Sequence, residues 1–69
     1  RAQMIKMTRL SGEVIYLNYI QIQYLESIPE TKVMMVNGDY YLVKDSVEEI
    51  LQQVKVFLHA CVAFKDKLL

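Results

Sequence analysis

The 69-residue sequence has no tryptophan, and it holds one cysteine, one proline, one histidine and two glycines. Its eight basic and eight acidic residues cancel to a formal net charge of zero. Each shortage excludes something. Cys61 alone cannot close an intrachain disulfide, which suits a reducing, cytoplasmic compartment. No cluster of Cys, His, Asp or Glu has metal-ligand spacing, and no glycine-rich phosphate cradle or nucleophile elbow is present, so no metal, cofactor or catalytic residue is expected. Zero net charge gives no cationic footprint for nucleic acid or an acidic membrane surface. The longest mostly apolar run, Val56 to Phe64, is interrupted by His59 and falls far short of the ~20 residues that span a bilayer. No charged n-region followed by an apolar stretch opens this sequence, so no secretory signal is expected. Arg1-Ala2-Gln3 is expected to be an expression remnant ahead of a native Met4, a longer native N-terminus being the alternative.

What is present predicts one small α+β domain over 4–69, an antiparallel sheet of about five strands followed by one long helix packed on it. The organising stretch is Lys32 to Leu51. Asn37-Gly38 signals a hairpin, and a two-residue type I′ turn there sets Met35 against Tyr40, Met34 against Tyr41 and Val33 against Leu42. Val33, Met35, Tyr40 and Leu42 then share one apolar face, while Met34, Val36, Tyr41 and Val43 make the other nearly as apolar. Upstream, Ser11-Gly12 is expected to turn a first hairpin with strands at about 4–10 and 13–18, placing Ile5, Met7, Val14 and Tyr16 inward. A short connection at Tyr19 to Gln21, with a single 3₁₀ turn, leads to an edge strand at about 22–28, where Ile22, Tyr24 and Ile28 share a face. Pro29-Glu30-Thr31 closes it, and strands at about 32–36 and 39–43 form the central hairpin.

After Asp45 the period changes. Ser46-Val47-Glu48-Glu49 is a capping box that starts a helix over about 47–67. Val47, Ile50, Val54, Phe57, Cys61, Phe64 and Leu68 follow at alternating spacings of three and four, and Leu51 and Leu58 widen the seam. Such a helix is roughly 30 Å long, against ~17–20 Å for a strand, so its last two turns are expected to overhang the sheet. There Val56, Ala60, Val62 and Ala63 add apolar surface off the seam. A core this small rarely supplies more than roughly 3–5 kcal/mol, which makes association the expected staple. The candidate oligomer or partner interface comprises Met34, Tyr41, Val56, Phe57, Ala60, Cys61, Val62, Phe64 and Leu68.

The remaining chemistry-bearing side chains have plain structural readings. His59 has no carboxylate or serine at a helical i±3 or i±4 position. Cys61 is a small seam residue rather than a reactive thiolate. The strand tyrosines lack the interleaved basic residues of a stacking platform for single strands.

The order of short motifs resembles the FlbD/SwrD family of small flagellar proteins. It is carried by Met4-Ile5, Thr8-Arg9-Leu10, Gly12, Tyr16-Leu17-Asn18, Leu25-Glu26, Pro29-Glu30-Thr31, Val36-Asn37-Gly38, Val43-Lys44-Asp45-Ser46 and Glu48-Glu49. Tyr19, where that family often has proline, and the apolar extension from Phe57 depart from the pattern. The resemblance implies a cytoplasmic, non-enzymatic accessory of the flagellum that supports motor power and swarming, with a stator or motor protein as partner. Alternatives are a CsrA-type RNA-binding regulator, whose opening is matched by Thr8, Arg9, Gly12 and Glu13, and a purely self-assembling module. The RNA-binding family's Ala-Pro-Lys turn and Val-His-Arg strand have no counterpart here.

Overall fold

The computed structural model describes the backbone of residues 4–68 and the side chains of residues 4–58. Five strands precede one helix: β1 Met4–Thr8, β2 Val14–Asn18, β3 Ile22–Ser27, β4 Thr31–Met35, β5 Tyr40–Val43 and α1 Val47–Leu68, with a 3₁₀ turn Tyr19–Gln21 between β2 and β3. β1 and β2 form a two-stranded antiparallel sheet, and β3, β4 and β5 a three-stranded one in that order. This is the expected α+β architecture.

Both hairpins turn with one residue more than a two-residue loop, and for the same reason. In the first, the Arg9 amide donates to the Glu13 carbonyl at 2.8 Å and the Gly12 amide to the Arg9 carbonyl at 2.8 Å. In the second, Met35 and Asp39 are joined at 2.8 Å and the Gly38 amide reaches the Met35 carbonyl at 3.0 Å. The loops are thus Leu10-Ser11-Gly12 and Val36-Asn37-Gly38, each a tight turn whose third residue is a glycine with positive φ, +99° at Gly12 and +97° at Gly38. No described non-glycine residue has positive φ, so the type I′ turn expected at Asn37 does not form. Small side chains complete the loops, since Ser11 Oγ accepts the Glu13 amide at 3.4 Å and Asn37 Oδ1 the Asp39 amide at 2.9 Å.

A register displaced by one residue exchanges the two faces of a strand. Met7 lies opposite Ile15 and Ile5 opposite Leu17, so Ile15 and Leu17 face the core while Val14 and Tyr16, expected inside, are exposed. In the second hairpin Val33 lies opposite Tyr41 and Thr31 opposite Val43. Val43 is fully buried and Tyr41 half-buried in the core, whereas Tyr40 and Leu42, expected to share the face of Val33 and Met35, lie on the other one, Tyr40 57% exposed. A third correction concerns β3, where the register shifts between Ile22 and Tyr24. That irregularity puts Ile22 and Leu25 together against the core and leaves Tyr24 and Ile28 exposed, in place of the expected Ile22, Tyr24, Ile28 face.

The core is Ile5, Met7, Leu17, Val33, Met35, Val43 and Ile50. One residue of the helix closes a space that four strands build, because Ile50 is completely buried. The helix begins as expected: the Ser46 amide donates to Glu49 Oε1 at 2.8 Å and the Glu49 amide to Ser46 Oγ at 3.1 Å, a complete capping box. Glu48 and Glu49 occupy its first turn, at the positive end of the helix dipole.

Candidate functional site

The short motifs of the sequence converge on the line where the two sheets meet. Arg9 bridges Val43 in antiparallel fashion, the Leu10 amide donates to the Leu42 carbonyl at 3.2 Å, and the Lys44 amide donates to the Thr8 carbonyl at 2.8 Å. The Thr8 amide completes the seam by donating to Asp45 Oδ1 at 2.7 Å. The next residue, Ser46, is the helix cap. Thr8-Arg9-Leu10 and Val43-Lys44-Asp45-Ser46 are therefore two halves of one joint that fixes where α1 leaves the sheets. Further along, Gln53 Oε1 accepts the Lys6 amide at 3.1 Å and Gln53 Nε2 donates to the Lys6 carbonyl at 2.8 Å. Asn18 serves the other end, its Oδ1 accepting the Ile20 amide at 2.9 Å and capping the 3₁₀ turn. Asn37, Gly38 and Gly12 belong to the hairpin loops described above. The family-motif residues thus act on the backbone.

Arg9 is engaged on both sides. Its Nη1 lies 3.3 Å from Glu13 Oε1, and its guanidinium stands 5.6 Å from the centre of the Tyr41 ring. Lys32 Nζ similarly stands 5.1 Å from the Tyr40 ring. Neither cation is arranged around a common centre. Among the described residues no three of His, Cys, Asp or Glu come together as a metal site.

The concave surface lies elsewhere. Between β3 and the first two turns of α1 an open groove of about 360 Å³ is lined by Tyr19, Ile22, Tyr24 and Leu25 on one side and Val47, Leu51 and Val54 on the other, with Gln23 as its polar side chain and Ile50 beneath. Tyr19 is held at its end by an edge-on contact with Phe57, ring centres 6.1 Å apart. Leu51 is 51% exposed and Tyr24 43% exposed, so both walls present apolar surface to solvent. An arrangement of this kind holds apolar side chains; it gathers no acid and base at a common point.

Of the residues expected at an interface, Phe57 is half-buried against Tyr19, and Val56 is 60% exposed. Met34 is half-buried on the outer face between Tyr24 and Tyr40, and Tyr41 lies on the core side under Arg9. The side chains of Ala60, Cys61, Val62, Phe64 and Leu68, like the expected overhang itself, lie outside the described residues. The groove was missed by sequence reasoning, although Leu51, which broadens the helical seam, was its one visible signal.

Among the described residues no helix is long and apolar enough to cross a membrane. No curated protein and no solved structure matches the chain. A family model described as flagellar and swarming motility proteins, FlbD, matches residues 4–62. That span takes in the whole joint between the sheets, both glycine loops, the capping box and the groove, and the chain belongs to the FlbD family of flagellar and swarming motility proteins.

Proposed function

We propose that within flagellar and swarming motility this chain is a non-enzymatic accessory protein. It supports motor power through protein–protein contact with the stator or the motor, at the cytoplasmic face of that machine. The observation that supports the contact is the outer face of the three-stranded sheet, where Met34 lies half-buried between the exposed rings of Tyr24 and Tyr40. An adaptor needs apolar area held rigidly, and these side chains stand on three paired strands. The test is a deletion strain examined by tethered-cell rotation at high load. Filaments should assemble while torque and swarming fall, and complementation should restore both. Normal torque, or a strain without filaments, would move the protein to a regulatory or assembly role.

A further inference from the structure

We propose that the groove between β3 and α1 is closed by the C-terminal part of α1 from a second copy of this chain, laid antiparallel to make a two-fold dimer.

The groove needs an apolar occupant, and the chain's own apolar C-terminal stretch cannot supply it. Helix α1 is continuous from Val47 to Leu68, and its first turns are themselves the wall of the groove. Val62 stands eleven residues beyond Leu51 on that helix, about 16 Å along the axis at 1.5 Å per residue. A residue on the same rod cannot turn back into the groove, whereas the same residue of another copy can enter it.

Charge selects the direction. Glu48, which follows the lining residue Val47, is exposed and puts a carboxylate at the N-terminal end of the groove's helical wall, while Lys55, one turn beyond Leu51, is exposed toward its other end. The stretch 60–68 is apolar apart from Lys65, Asp66 and Lys67. By helical spacing Leu51, Leu58, Val62 and Lys65 fall on one stripe, and Leu51 and Leu58 on it are both exposed. One antiparallel register brings Val62 to Leu51 and Lys65 to Glu48. A two-fold axis makes each such contact twice, so each copy fills the groove of the other. It also sets the positive end of one helix dipole beside the negative end of the other. Self-association belongs to the purified chain, so it stands or falls separately from the role in the motor.

Sedimentation equilibrium of the full chain across the micromolar range tests it. The wild-type protein should be a dimer. Leu51→Glu, which changes a side chain already half-exposed, should keep its circular dichroism and raise the dissociation constant at least about tenfold, because a carboxylate in the closed groove loses its water. Glu48→Lys and Lys65→Glu should each weaken the dimer, and the two together should restore it. If Leu51→Glu loses helix content, the charge exchange decides the matter alone. A monomeric wild type, a dimer that survives Leu51→Glu, or a double exchange no tighter than its single variants would overturn the proposal.

Discussion

Gln53 holds both main-chain polar groups of Lys6, accepting its amide at 3.1 Å and donating to its carbonyl at 2.8 Å, across 47 residues of sequence. A side-chain amide presents one acceptor and one donor on the same plane, as a neighbouring strand would. With Lys44 and Asp45 on Thr8, it occupies the edge of β1 that β2 leaves open.

Replacing Gln53 by alanine should therefore lower stability by about 1 kcal/mol, the low end for two hydrogen bonds because both are exposed to water. Urea unfolding followed by circular dichroism measures it. Gln52→Ala, at an exposed neighbour that makes no such bond, serves as the control and should leave the midpoint in place.

The registers make opposite predictions for neighbouring residues. Leu17→Ala should cost about 2–3 kcal/mol as a core truncation, while Tyr16→Ala, at 58% exposure, should stay within about 1 kcal/mol. Val43→Ala should likewise exceed Leu42→Ala. Chemical denaturation of the four variants settles it, and a reversed ranking in either pair would restore the two-residue turn in that hairpin.

Gly12 and Gly38 test the loops. A Cβ built at either position meets nothing within 4 Å, so space is not the constraint. Backbone conformation is. Gly12→Ala and Gly38→Ala should each lose about 1–2 kcal/mol through the positive φ alone, and Gly38→Asn less, since asparagine tolerates that region better than alanine. Thermal melts of the three variants report the order.

Ser46→Ala removes one half of the capping box and should lower stability by about 1 kcal/mol. Because Glu49 returns the bond to the Ser46 amide, Glu49→Ala should lose less in the Ser46→Ala background than alone. Additive losses in this double-mutant cycle would show that the two bonds act independently.

Arg9 distinguishes the family from the RNA-binding alternative. With Glu13 at 3.3 Å and Tyr41 against its guanidinium, it is expected to give no specific retention of GGA-containing RNA hairpins. Gel-shift binding below ~1 µM at physiological salt, tighter than ordinary nonspecific affinity, would reopen that reading.

Local signals in the sequence were sufficient wherever a short-range interaction decides the structure. Ser46 and Glu49 close a box three residues apart, the 3₁₀ turn forms at Tyr19–Gln21, and the helix starts at Val47 as its periodicity requires. The hairpin registers were not legible, because glycine after Ser11 or Asn37 suits a loop of two residues as well as three. The choice is made at a distance: Leu10 and Val36, the residues added to the loops, donate their amides to Leu42 and Gln21. The strand pattern offered no check either, since β4 and β5 carry apolar residues on both faces. Nor could the irregularity around Gln23 be foreseen, and without it Leu25 would not join Ile22 on the wall of the groove.

The joint between Thr8-Arg9-Leu10 and Leu42 to Asp45 also orders events in time. Every hydrogen bond described along the outer edge of β1 comes from residues 42–53. During synthesis β1 can pair with β2 as soon as Asn18 has emerged, but its other side stays open until the start of the helix leaves the ribosome. The earliest of the five described strands is thus the last to be completed, and closing it requires a loop of more than thirty residues to surrender its freedom. A nascent chain halted before Gln53 carries an unprotected strand edge, the kind of surface on which half-made chains join one another.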